Sequence, residues 1–249
     1  MPTTTLIAFV LSLTLSGVPG EQVQNPTPPD LKPGSSGATV LELQNHLEAA
    51  GFFPGRKDGY FGRRTRAAVY AFQKLYDLER TGTFQTEDWE LLGRHIGGPG
   101  PGPEPDRVEI DLRRQILYLI EGETVTGVFP ISTGNGEVYR NARGSLVNAE
   151  TPEGRFELRR SREGWWESYL GFLYSPMYFY GGYAIHGSGS VPPFPASHGC
   201  VRVEVEDMDF LRTRLALGMP VYLYGDELSR SDLIPDLPEV LPARSRPWS

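Results

Sequence analysis

Apolar positions along the chain follow two different spacings. Val40, Leu43 and Leu47 recur at i, i+3 and i+7, and Gly51 stops that run. Val69, Phe72 and Tyr76 share one face of a second helical segment over about Thr65–Tyr76. A third, shorter helix is predicted from Thr86, which can cap it, with Glu87 and Asp88 suited to the positive end of its dipole. The intervening "FFPGRKDGYFG" is punctuated by Pro-Gly and Asp-Gly, which predicts turns. Further on the period shortens. Val108, Ile110 and Leu112 alternate with polar residues, and "QILYLI" is apolar on both faces, as inside a sheet. Gly122 marks a turn before "TVTGVFPIST". One late helix is predicted with Met208, Leu211 and Leu215 on one face, and "VYLYG" reads as a closing strand. The aromatic run Tyr169, Phe172, Tyr174, Tyr178, Phe179, Tyr180 and Tyr183 is expected to be mostly sheet core.

Composition draws the boundaries between these regimes. Residues 97–105 ("GGPGPGPEP") form a linker in which nothing is fit to pack a core. Residues 21–36 are Pro-rich and polar, a flexible leader, and residues 226–249 read as a disordered tail. What remains is a small independent unit over 37–96 and a larger one over 106–225. Residues 1–20 are expected to be a signal peptide. "LIAFVLSLTL" is too short to span a bilayer but has the length of a signal-peptide core, and Val18 and Gly20 precede a cut near Glu21. The mature protein is therefore expected in the periplasm or cell wall. A net charge of -7 removes the electrostatic case for nucleic-acid binding.

Export gives weight to Cys200, the only cysteine in the sequence, which has no internal disulfide partner and is flagged as reactive. It lies in "SHGCVR", fourteen residues after His186. A thiol with a pKa of about 8.5 is mostly protonated at neutral pH. A neighbouring imidazole can take the proton, and such pairing lowers a cysteine pKa by several units. The thiolate then attacks a carbonyl to give a thioester. Backbone N–H groups around a Gly-Cys turn are natural donors to the oxyanion.

Residues 37–93 resemble the peptidoglycan-binding type 1 domain through "VLELQNHLEAAGFFPG", "DGYFGRRTRAAVYAFQ" and "TGTFQTEDWELL". "IHGSGSVPPFPASHGCVR" resembles the signature of L,D-transpeptidase (YkuD-type) catalytic domains. "VEIDLRRQILYLIEG", "PISTG", "TPEGRFEL" and "SPMYFYGGYAIHG" agree with it. The two resemblances imply a multidomain α and β protein, in which a small three-helix module precedes a mostly-β catalytic domain. Members of the family cut the bond between the third and fourth residues of a peptidoglycan stem tetrapeptide. They pass the acyl group to an amine of another stem or to water.

Carried over by position, Cys200 is the nucleophile and His186 the general base, with the Gly187 carbonyl holding its tautomer. Ser197 orders the loop, His198 supports or polarises it, and the N–H groups of Gly199 and Cys200 form the oxyanion hole. Arg202 either steadies the loop or pairs with a substrate carboxylate, and Tyr183 walls the cleft on the substrate side. Ten residues separate His186 from Ser197, which implies a reduced lid. The expected partners are stem peptides and glycan strands, with a carbapenem, a strained acyl donor, as inhibitor. No obligate protein partner is evident. No cofactor is expected, because thiol, imidazole and backbone dipoles suffice. Zinc held by His186, His198 and Cys200 is disfavoured, since no clear fourth ligand follows. Thr133 and Thr151 read as turn-formers, Phe61 as core, His46 as solvated and His95 as the end of the third helix. Two rivals stay open: an L,D-carboxypeptidase that uses water, and a non-catalytic wall-binding protein.

Overall fold

The structure, a computed structural model, describes residues 29–92 and 102–225. The signal-peptide assignment, residues 21–28 of the leader, His95, most of the linker and the tail lie outside these.

The N-terminal module has four helical pieces: α1 (Ala38–Ala49), α2 (Arg63–Leu75), a single 3-10 turn (Thr86–Asp88) and α3 (Trp89–Leu92). Val40, Leu43, Leu47, Val69, Phe72 and Phe61 are all buried, so the helical spacing marks the core side. Thr86 does not cap the third helical piece. Gln85 is the N-cap, and it exchanges capping-box bonds with Asp88. The Thr86 N–H and hydroxyl turn instead to Asp30 (3.0 and 3.3 Å). The leader is correspondingly shorter than expected. Leu31 is buried and exchanges two backbone hydrogen bonds with Phe84 (2.8 and 2.7 Å). An apolar residue in a polar stretch has found a strand partner there.

The C-terminal domain packs two sheets face to face. One runs in the order β3 (Thr124–Pro130), β2 (Ile116–Glu121), β1 (Arg107–Asp111), β12 (Pro220–Tyr224), β6 (Gly154–Glu157). The other runs β11 (Val201–Glu204), β10 (Tyr183–Ser188), β9 (Gly171–Tyr180), β7 (Arg160–Ser161), with β8 (Trp165–Ser168) also on β9. A hairpin of β4 (Val138–Arg140) and β5 (Leu146–Asn148) stands apart from both. Val108, Ile110, Leu117 and Phe129 meet Ile185, Val201 and Val203 in the core between the sheets. The late helix, α4, is Val205–Leu211 only. Leu215 lies beyond its end, yet it is still buried. The aromatic run is less of a core than expected. Phe179 is buried, but Tyr169, Phe172 and Tyr180 are 67%, 64% and 52% exposed, since they occupy the outer face and the β8–β9 turn.

The two units are not independent beads. Ile116 and Val128 of the large sheet belong to the module's own core. The Val128 N–H donates to the Gly51 carbonyl (2.9 Å), and Phe53 packs on Phe129 and Phe210 (ring centroids 5.2 and 4.2 Å apart). Full burial of each such side chain stabilises by about 1.5–3 kcal/mol, so the shared core contributes to holding the units together. Charges reinforce it: Arg63 pairs with Glu204 and Glu206, and Arg64 with Asp207 of α4. The glycine- and proline-rich composition of 97–105 carries no signal of this contact.

Candidate active site

The site forms where β10 and β11 run parallel, with His186 opposite Arg202 and Ile185 opposite Val201. Cys200 is thus the last residue before β11. Gly187 has no room for a side chain, because a Cβ there would meet Tyr174 at 2.9 Å and Met208 at 3.2 Å. His186 is only 4% exposed. Its Nδ1 is 2.9 Å from the Gly187 carbonyl oxygen. A carbonyl only accepts, so Nδ1 carries the proton and Nε2 is left as a proton acceptor. Burial pulls the imidazole pKa down to about 4, helped by the Arg202 charge and opposed by the Gly187 bond. The ring is therefore neutral at physiological pH.

Cys200 is partly exposed, and its sulfur lies 3.8 Å from the Gly182 carbonyl oxygen. Burial pushes the thiol pKa up, against the backbone of Ala184 and the charge of Arg202. Desolvation disfavours the charged forms of both groups. Arg202 is half-buried, and among the described residues no carboxylate pairs with its guanidinium.

The loop before the thiol is closely tied. The Ser197 hydroxyl donates to the Cys200 carbonyl (2.6 Å) and accepts from the Gly199 N–H (3.0 Å). That second bond takes up one of the two N–H groups expected to face an oxyanion, leaving the Cys200 N–H of the pair. Gly199 has φ 126, and a Cβ on it would meet the Tyr183 ring at 2.5 Å and the Glu150 carbonyl oxygen at 2.8 Å. Only glycine fits this position. Tyr183 accordingly lies over Gly199, beside an open cleft of about 900 Å3 that it lines with Thr133, Asn135, Glu150 and Thr151. His198 is exposed, and its ring stands edge-on to Tyr139 (4.8 Å between centroids).

Thr133 and Thr151 do more than form turns. The Thr133 carbonyl accepts from the N–H groups of Ala196 and Ser197 (2.9 and 2.8 Å). The Thr151 hydroxyl donates to the Gly199 carbonyl (2.8 Å) and accepts from the Gly134 N–H (2.9 Å). Both residues lie in motifs that the sequence singles out, but the contacts span up to 64 residues and leave no local trace. The short segment between His186 and Ser197 is also pinned, with the Pro193 carbonyl accepting from Arg80 (2.7 Å) and that of Phe194 from Ser132 (2.8 Å). Among the described residues, no group of three His, Cys, Asp or Glu side chains is placed to hold a metal ion.

The L,D-transpeptidase catalytic domain family (YkuD) matches residues 105–223, and a putative peptidoglycan binding domain matches residues 36–92. An L,D-transpeptidase structure from Xylanimonas cellulosilytica is 39% identical, superposes with a TM-score of 0.71, and is covered over 99% of its length by 80% of this chain. A spore cortex-lytic enzyme of Bacillus cereus is 37% identical over 88 residues, which are 35% of this chain. The chain spans only 34% of that relative's length.

Proposed function

The chain belongs to the YkuD L,D-transpeptidase family, and on that premise we propose that it is an exported cysteine acyltransferase of peptidoglycan stem tetrapeptides. The Cys200 sulfur attacks the carbonyl carbon of the third stem residue while its proton passes to Nε2 of His186. The negative oxygen of the tetrahedral intermediate faces the Cys200 N–H. The C–N bond to the fourth residue then breaks, and the imidazolium returns the proton to the leaving amine. This leaves a thioester on Cys200. An amine of a second stem attacks the thioester and gives a proton to His186, the C–S bond breaks, and the departing thiolate is reprotonated by the imidazolium.

The observation that carries this reading is the Nδ1–H bond from His186 to the Gly187 carbonyl at 2.9 Å. It fixes the tautomer that a general base needs, on the strand that runs parallel to β11, and Cys200 is the residue just before β11. Because burial disfavours the charge on both groups, proton transfer accompanies attack. Arg202 supports the same step, because a cation near the sulfur favours the charge that develops there. The position of Ser197 suits the loop-ordering role, and the exposed ring of His198 suits a lesser one. The peptidoglycan-binding module supplies affinity for the wall, and the apolar N-terminal run supports export.

Two measurements test the proposal. Incubation with a carbapenem is expected to add the drug's mass to the wild type and nothing to Cys200→Ala; an unmodified wild type opposes an attackable thiol. Incubation with defined tetrapeptide stems separates the acceptors, since crosslinked dimers mark transfer to an amine and trimmed monomers mark transfer to water.

A further inference from the structure

The turn between β1 and β2 is held by the neighbouring module. Three successive carbonyls of that turn accept from two basic side chains of the peptidoglycan-binding domain. Arg80 donates to those of Arg113 (3.4 Å) and Arg114 (3.2 Å), and Lys74 to that of Gln115 (3.2 Å). Asp77 closes the clamp from outside by pairing with the side chains of Arg113 (3.6 Å) and Arg114 (3.2 Å). Lys74 is 1% exposed and also donates to the Ile131 carbonyl (2.8 Å). Burial holds its pKa well below the ordinary lysine value, and two backbone oxygens accept from the buried amine.

What these side chains hold is connected to the thiol. Gln115 sits at φ 62, a left-handed conformation that costs a non-glycine residue roughly 1–2 kcal/mol and persists only where its surroundings enforce it. In that pose its side-chain amide donates to the Thr133 hydroxyl (2.7 Å) and accepts from the Thr133 N–H (2.9 Å). The Thr133 carbonyl accepts from Ser197, whose hydroxyl is bonded to the Cys200 carbonyl. A continuous chain of bonds therefore runs from Lys74 through Gln115, Thr133 and Ser197 to the nucleophile. Arg80 reaches the same loop by a second route, through the Pro193 carbonyl.

We propose that Lys74 and Arg80, both outside the catalytic domain, are positioning residues for the Cys200 loop. The peptidoglycan-binding module is thereby a structural part of the active centre as well as an anchor. The inference rests on the assignment of Cys200 as nucleophile. A catalytic group displaced by about 1 Å can lose about a hundredfold in rate, so a clamp of this kind has a kinetic readout.

The test uses full-length Lys74→Met, Arg80→Ala and Arg80→Lys. The kcat and KM on tetrapeptide stems are measured alongside the pH dependence of Cys200 alkylation by iodoacetamide. For Lys74→Met and Arg80→Ala we expect kcat to fall roughly tenfold with KM within about threefold. We also expect the alkylation midpoint to move down toward the ordinary thiol value as the loop loosens, and Arg80→Lys to recover part of both. A merely structural role would lower the melting temperature while folded enzyme kept the wild-type kcat and midpoint, and that result overturns the proposal. If Lys74→Met fails to fold, the two Arg80 variants decide. Should the wild type not process stems, the enzymatic reading fails, but the alkylation midpoints still judge the clamp.

Discussion

The Thr151 hydroxyl donates to the carbonyl oxygen of Gly199 across 2.8 Å, joining the loop before β6 to the residue that precedes the nucleophile. The same hydroxyl accepts from Gly134, so Thr151→Val leaves a donor and an acceptor unpaired in a part-buried position. The expected cost is about 1–3 kcal/mol of stability, together with roughly a tenfold fall in kcat. Thr151→Ser keeps the hydroxyl and is expected to retain most of both. Chemical denaturation and single-turnover kinetics on the pair check this, and equal behaviour of the two variants would contradict it.

Gly199→Ala is expected to be far more severe. The new methyl meets a backbone carbonyl, which cannot rotate away as a side chain can, and φ 126 is itself unfavourable for alanine. A loss of more than about 2 kcal/mol in stability is expected. Acylation should fall more than about a hundredfold, since the sulfur is displaced with the backbone. A folded, fully active Gly199→Ala protein would show that the loop is more plastic than its contacts imply.

The buried imidazole makes stability depend on pH. An unfolded histidine takes up its proton near the ordinary value of about 6.5, whereas folded His186 does so only at about 4. Between these values the unfolded chain binds more protons, so stability rises with pH across that window and is lost as pH falls from 6.5 towards 4. The contribution is roughly 3 kcal/mol when complete. His186→Gln is expected to show a flatter dependence of its urea midpoint over the same range. An unchanged slope would mean that the ring is not held neutral by burial.

Arg64 and Asp207 join the module to α4, and the Asp207 carboxylate is fully buried. Removing only the cation, as in Arg64→Met, strands that carboxylate and is expected to cost about 3–5 kcal/mol. The double variant Arg64→Met with Asp207→Leu should recover much of the loss, because no uncompensated charge remains. Urea unfolding followed by tryptophan fluorescence should show a single transition in the wild type, as a shared core requires. Two separated transitions would indicate units that fold alone.

Much of the site was legible because its chemistry is local in sequence. His186-Gly187 and Ser197 to Cys200 carry their own hydrogen bonds within four residues, so their arrangement follows from the motif. Three features were not legible. Gly199 donates to Ser197 rather than facing an oxyanion, a choice that depends on the rotamer of one hydroxyl. Burial disfavours the charged forms of His186 and Cys200, and the strands that bury them come together only in the whole fold. The union of the two modules runs through Phe53, Lys74, Arg80 and α4, residues that read as ordinary core or surface until the partner face is known. In the same way, Leu31 looked like leader and Leu215 like helix, because helical and extended spacing alone do not say where an element ends.

The central claim is that the sulfur of Cys200 becomes the acyl carrier. Intact-mass measurement after rapid mixing with a stem tetrapeptide tests it directly. The wild type should gain the mass of the acylated tripeptide stem with loss of the fourth residue, fragmentation should place that mass on Cys200, and Cys200→Ala should stay unmodified while folding normally. Processing of the stems by a folded Cys200→Ala protein would contradict it.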